Sequence, residues 1–245
     1  MTLLDIFAIT WFIGCWSGYR LFSESHAKVA PNLMEAVHTY RKRWMARVVE
    51  AEQGPMHAGI LNGLAHSAVF LISTTVLIVG GFLATLGATE AAVKVFATVP
   101  FAVDGPEWLW VLKTLFLVAI FLYAAYRFMW SLRLFNFCSI MVGAAPDKSG
   151  LSDEKRDFIE RASRVACLAG DNFNAGLRSY YMGFVTLGWF VHPALWIAGT
   201  ATMVSVLYRR EFHSPVVRAL TEEIVPGDPA STARSAASRA ELLAR

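Results

Sequence analysis

Four stretches of the chain are apolar for longer than a soluble core needs. Gly63 to Thr89 contains no Asp, Glu, Lys or Arg, and neither does Tyr180 to Tyr208. Leu3 to Tyr19 carries only Asp5, and Leu115 to Tyr126 follows the single Lys113. A bilayer core of about 30 Å takes about 20 apolar residues in α-helix. The pattern therefore predicts an all-α membrane protein with four transmembrane helices, near 3–22, 63–88, 108–127 and 180–208.

The segments between these spans have a different period. Leu33, Val37, Tyr40, Trp44 and Val48 recur at helical spacing, while Arg41, Lys42, Arg43 and Arg47 fall on another face. Pro31 suits the first turn and Gly54-Pro55 a stop, so 31–53 reads as an amphipathic helix. Such a helix lies at the headgroup level, where it covers other helices or recognises lipid headgroups. A further helix is expected over 152–178, with Ser152 or Asp153 as N-cap and Phe158, Ala162, Val165, Ala169 and Phe173 as its apolar stripe. Asp157 with Arg161 and Glu160 with Arg164 are i,i+4 pairs on its wet side.

The stretch WSLRLFNFCSIMVGAAP, Trp130 to Pro146, is apolar but contains Arg133 and Asn136. A helix entering the membrane at Trp108 reaches Arg127 after about 20 residues. Its remainder, 128–145, then projects into the cytoplasm and must be covered. With GAAPDKSG (Gly143 to Gly150) as the turn, the 152–178 helix can run back along it, giving a cytoplasmic helical hairpin extension.

A symmetric turn places residues opposite each other when their numbers sum to about 297. Arg127 then lies near Asp171 and Asn172, with Asp171 as its ion-pair partner, Arg133 finds Glu160, and Asn136 and Asn174 add hydrogen bonds. Arg127, Arg133, Asn136, Asp171, Asn172, Asn174 and Arg178 form the candidate polar cluster. It either fixes the hairpin register or, through Arg127, Arg133 and Arg178, lines an anion-binding vestibule.

Composition agrees with a membrane protein: 56% of residues are hydrophobic and 17% charged, against about 25% charged in soluble domains. A net charge of +3 without a basic, aromatic-interleaved stripe gives no reason to expect nucleic acid. Its distribution sets orientation instead. Lys28, Arg41, Lys42, Arg43 and Arg47 come after the first span, and Lys148, Lys155, Arg156, Arg161 and Arg164 after the third, whereas only Lys94 and Lys113 lie between spans two and three. The first and third loops are thus expected to be cytoplasmic, in a multi-pass protein of an inner (plasma) membrane. The first apolar run lacks the positive flank of a signal peptide and is expected to persist.

Four spans leave the C-terminus outside, although Tyr208-Arg209-Arg210 comes directly after the last span. The alternative is that Pro193 breaks that run into a re-entrant hairpin. Arms of about 14 residues are short for two crossings, so four spans are preferred. After Leu220 the chain is rich in Pro, charges and small residues, and 221–245 reads as a disordered tail.

Little here points to catalysis. Cys15, Cys138 and Cys167 are an odd number without CxxC spacing, which argues against a disulfide framework or structural zinc. His66 and His192 invite a bis-histidine haem, but their depths differ by roughly 12 Å. His192-Pro193 reads better as a kink with a local hydrogen bond. Gly14 and Gly18, with Gly80 and Gly81, offer small faces expected to pack within the monomer. No catalytic, metal or cofactor residue is assigned, and no cofactor is expected. The expected partners are the lipid bilayer and another membrane or cytoplasmic protein, or a second copy in a homo-oligomer.

WSLRLFNFCSIMVGAAP, DNFNAGLRSYYMGFVTLGWFVHP and LYRREFHSPVVRAL, in that order and together with FLISTTVLIVGGFLATLGA, resemble the bacterial and plant membrane proteins grouped as domain of unknown function 599. The resemblance runs from about Phe7 to Leu220. It implies a multi-spanning membrane protein without an assigned activity and transfers no catalytic residue. The function expected is that of an accessory or interaction protein; the alternative is a small transporter or channel with an arginine-rich cytoplasmic vestibule.

Overall fold

The computed structural model describes residues 2–26, 33–50, 54–89, 106–147, 149–212 and 214–221. Pro31, Lys28, Lys94, Lys148 and the tail from residue 222 lie outside them. Helices dominate, and no strand occurs among the described residues. In chain order they are α1 (Leu3–His26), α2 (Leu33–Glu50), α3 (Gly54–Gly87), α4 (Glu107–Gly143), α5 (Ser152–Thr186), α6 (Gly188–Val191), α7 (Pro193–Phe212) and α8 (Pro215–Thr221). Pro55–Gly87 and Glu107–Gly143 are long and apolar enough to cross a membrane, and Leu3–Tyr19 is a shorter apolar run.

The hairpin of α4 and α5 is the spine. Pro106, extended at φ −64° and ψ 149°, precedes Glu107, whose acid sits in the first turn where the helix dipole favours it. At the other end the Ala144 N–H reaches back to the carbonyls of Ile140 and Met141. Helix α5 starts after an extended Leu151, with Asp153 and Glu154 in its first turn. Its N-cap is Leu151, which makes no side-chain bond, so the expected cap at Ser152 or Asp153 is not used.

The two arms pack closely because α5 presents small residues. Ala162, Ala166, Ala169, Gly170, Gly176, Ser179 and Gly183 are buried. A Cβ on Gly176 would lie 2.5 Å from the Phe128 ring, and one on Gly183 would lie 2.9 Å from the Phe121 ring. Both pairs are seven residues apart on each helix, so two rings seat in two glycine notches. Ser131 Oγ donates to the Ala169 carbonyl at 2.7 Å in the same seam.

These contacts correct the register. Opposed residue numbers sum to 300 at Ser131 and Ala169, and to 304 at the two phenylalanine–glycine pairs. The turn is not symmetric: α5 begins about seven residues beyond the level where α4 ends, an overhang of about 10 Å at helical rise. Residues 144–151 bridge that step.

Helix α3 runs along the other flank of α4. The buried Thr75 hydroxyl lies 2.5 Å from the Tyr180 hydroxyl, linking α3 to α5 across this layer, and also bonds its own helix at the Leu71 carbonyl, 2.6 Å away. At the hairpin end, Met45 and Val48 of α2 pack with Leu61 of α3, Leu134, Phe135 and Cys138 of α4, and Ala162, Ala166 and Ala169 of α5.

The expected single span 180–208 is divided among the end of α5, α6 and α7. The chain breaks after Val191 at an extended His192 (φ −155°, ψ 135°), where the Ala194 N–H donates to the His192 Nδ1 at 3.0 Å. Helix α7 then returns antiparallel to α5. Gly188 lies against Leu195 and Trp196, the Arg210 guanidinium bonds the Tyr181 hydroxyl at 3.4 Å, and Arg178 comes to 4.0 Å from Glu211. The end of α7 is therefore level with the start of the upper half of α5, on the hairpin side, whereas the expected single span puts Leu220 at the other end of the bundle.

Helix α1 lies parallel to α7. Asp5 is near Trp189, the Phe12 ring lies tilted against Trp196 at 5.0 Å, and Phe22 meets Tyr208 at 5.9 Å. Gly14, Gly18, Gly80 and Gly81 make no close approach among the described residues, since a Cβ on each would find nothing within 4 Å. The expected glycine contacts within the monomer are therefore made by α5, not by α1 or α3.

Candidate functional site

The start of α2, the upper half of α5, the end of α7 and helix α8 line a cavity of about 270 Å³. Leu33, Met34 and Val37 of α2, Leu177 of α5, Leu207 of α7 and Val216 of α8 give it apolar walls. Asn174, Arg178, Tyr181, Arg210 and Glu211 add a polar edge.

That edge is ordered by contacts among three helices. The Tyr19 hydroxyl of α1 donates to the Glu211 carboxylate, and the Arg178 guanidinium lies 6.0 Å over the Tyr19 ring. Arg178 also faces Glu211, with its side chain 26% exposed against 13% for the acid. Glu211 is thus held by a hydroxyl and a cation, which leaves the exposed Arg210, bonded to Tyr181, as the excess positive charge. Asn174 Nδ2 approaches Met34 Sδ at 3.6 Å and closes the α2 side.

Of the seven residues expected to cluster, only Asn174 and Arg178 line this cavity. The expected Arg127–Asp171 ion pair is not formed: Asp171 Oδ1 bonds His38 Nε2 at 2.9 Å. The register explains this, because Arg127 is level with about Ala175, one turn past Asp171. Arg127 is half-buried, with its Nε covered and without a hydrogen-bond partner. Arg133 does not reach Glu160, which pairs with Arg164 at 3.3 Å. It is exposed instead, over the rings of Trp130 and Phe137 at 5.9 and 5.6 Å. Asn136 is also exposed, and Asn172 is buried with its amide on its own helix at the Leu168 carbonyl, 2.7 Å away. The expected hydrogen-bonded seam around Arg133 and Asn136 is therefore absent, and small residues with Ser131 fill that place.

Two groupings were not expected from the sequence. His38 and Arg41 of α2 both turn toward α5. His38 is pushed up from its ordinary 6.5 to about 10, mainly by its bond to the Asp171 carboxylate and then by Cys167, with burial opposing. The Arg41 guanidinium lies so close to Gly170 that a Cβ there would collide with it. Arg41 thus leaves the basic face assigned to it, while Lys42, Arg43 and Arg47 stay exposed. A glycine one residue before an acid is the sequence signal for this docking.

The second grouping lies at the opposite end of the bundle. Asp5 and Lys113, read as isolated charges, are both buried and meet at Trp189. The indole Nε1–H donates to Asp5 Oδ1 at 2.9 Å, and Lys113 Nζ donates to the Trp189 carbonyl at 2.8 Å. Beside this pair the Trp189 and Trp196 rings stack at 4.4 Å, with Phe12 and Phe116 packed around them.

No curated protein and no solved structure matches the chain. The family described as "Protein of unknown function, DUF599" matches residues 7–216, which hold the hairpin, the His38–Asp171 grouping, Lys113 and Trp189 but not Asp5, and nearly all of the cavity lining. The chain belongs to the DUF599 family.

Proposed function

We propose that the chain is a multi-pass inner-membrane protein with five crossings, and that it serves as a non-enzymatic accessory protein whose cytoplasmic layer docks a partner protein. The crossings are α1, α3, α4, the upper half of α5 together with α6, and α7. Helix α4 holds 37 residues, about 55 Å, so it outruns a 30 Å core by about 25 Å. With Trp108 at the outer surface, the inner surface falls at Arg127, level with Arg178 and Arg210. The exposed basic residues of α2 lie on the same side, in keeping with the preference for cytoplasmic Lys and Arg.

The observation that carries the docking reading is an exposed apolar stripe on α4 beyond this arginine layer. Met129, Trp130, Phe137 and Ile140 are 51%, 42%, 42% and 69% exposed. Large apolar side chains standing together outside a bilayer mark an interaction surface. Purification in mild detergent is expected to bring down a stoichiometric second protein, and Ile140→Glu to release it without changing expression or thermal midpoint. A single species of unchanged mass in both forms overturns the reading, and a multiple of the chain's own mass assigns the stripe to self-association.

A transport reading has one observation in its favour, the cavity carrying Arg178 and Arg210. The packed rings of Trp189, Trp196, Phe12 and Phe116 oppose it, since they fill the bundle between that cavity and the outer pair. A flux in proteoliposomes that is lost in Arg210→Gln decides for transport.

A further inference from the structure

We infer that the inner cavity is a seat for an anionic phospholipid, with the headgroup phosphate at Arg210 and Arg178 and the first acyl methylenes along Leu33, Val37, Leu207 and Val216. The inference rests on the membrane reading above. It goes beyond it in naming a ligand.

Three properties of the cavity carry it. First, its charge is asymmetric. Two arginines face one carboxylate, and that carboxylate is already engaged by Tyr19 and Arg178. An arriving anion meets Arg210, whose planar guanidinium can present two parallel N–H groups to phosphate oxygens while Arg178 supplies field. A zwitterionic headgroup would bring a second, positive charge to an edge that is already cationic.

Second, the walls are mostly aliphatic. A soluble anion such as free phosphate gains nothing from Leu33, Val37, Leu207 and Val216, whereas an acyl chain removes them from water at about 25 cal/mol per Å². The combination of a cationic edge and an aliphatic wall selects an amphiphile.

Third, size and place agree. Pockets that bury a whole small ligand hold about 300–1,000 Å³, so 270 Å³ takes a phosphate-glycerol and part of one chain and leaves the rest in the bilayer. The cavity lies where α5 and α7 reach the inner surface, beside the basic helix α2, the level at which anionic headgroups of the cytoplasmic leaflet lie.

The test uses the full chain, purified in mild detergent, stripped of lipid and examined by native mass spectrometry. Dihexanoyl-phosphatidylglycerol, dihexanoyl-phosphatidylcholine and inorganic phosphate are the probes. One phosphatidylglycerol per chain is expected, bound about tenfold more tightly than phosphatidylcholine and about tenfold more weakly in Arg210→Gln. Val216→Trp, which fills the cavity from an exposed position, is expected to block it. Equal binding of the two lipids, or an unchanged constant in both variants, overturns the inference. Displacement of phosphatidylglycerol by an equal concentration of phosphate makes the site one for a free anion and overturns the lipid assignment. Recovery of the chain in the soluble fraction without detergent defeats the membrane reading itself, a result distinct from a detergent-soluble protein that takes up no lipid.

Discussion

The ring of Phe128 occupies the space that a side chain on Gly176 would need, since a Cβ there would lie 2.5 Å from Cε1. Gly176→Ala gains up to about 1 kcal/mol of helix propensity but overpacks a closed seam, which costs about 1–3 kcal/mol. The thermal midpoint in detergent is expected to fall. Gly183→Ala, with 2.9 Å to Phe121, is expected to fall less, and Gly14→Ala, with nothing within 4 Å, to hold or rise. Equal effects at all three positions would remove the notch as the cause.

The bond between His38 and Asp171 makes stability depend on pH. The histidine is raised in the folded state from 6.5 to about 10, first by its bond to the carboxylate. Its stabilising contribution is therefore complete below about pH 6.5, declines as pH rises and is gone above about 10. With both side chains about a third exposed, at 33% and 37%, solvent keeps the effect small. Thermal midpoints between pH 6 and 10 are expected to fall more steeply for the natural chain than for His38→Gln. Parallel curves would show that the pair contributes nothing.

How far the sequence speaks depends on the kind of interaction. The apolar stripe expected from Phe158 to Phe173 packs on α4, with Ala162 and Ala169 in the core and Phe173 against Phe128. Its wet-side pairs Asp157–Arg161 and Glu160–Arg164 are present in the structure. The register was not legible, because residues 144–151 do not reveal that α5 overshoots α4. A slip of about one turn moved every partner assigned to Arg127, Arg133 and Asn136.

The break at His192-Pro193 changes the arm length for a related reason. The ascending arm starts near Ala175 as a continuation of the hairpin helix, not at Tyr180, so it has about 17 residues, roughly 25 Å. The glycines that matter, at 170, 176 and 183, are spread over several turns and do not spell GxxxG. Gly14 and Gly18 do spell it and face an open groove.

Lys113 and Asp5 supply a third prediction. Lys113→Met leaves the Trp189 carbonyl without its donor and Asp5 without its nearby cation, and an unmet buried polar group costs about 1–3 kcal/mol. The variant is expected to unfold at a lower temperature, whereas Lys42→Met, at an exposed position of α2, serves as the neutral control. Equal midpoints would place the Lys113 ammonium in solvent rather than on Trp189.

The return of α7 along α5 predicts the side of the C-terminus. Green fluorescent protein fused after Leu220 is expected to fluoresce, and alkaline phosphatase at the same point to be inactive. The reverse pattern would require α7 to leave the bundle on the side of Trp189 and Lys113.

The overhang of α5 sets a distance. From Ala175, level with Arg127, to Ser152 is about 35 Å of continuous helix, and the last turns carry Asp153, Arg156, Asp157 and Arg161 facing water. In the proposed membrane layout, anything gripping that charged tip is held about one small domain's width away from the headgroups, on a strut stiff enough to keep the spacing fixed.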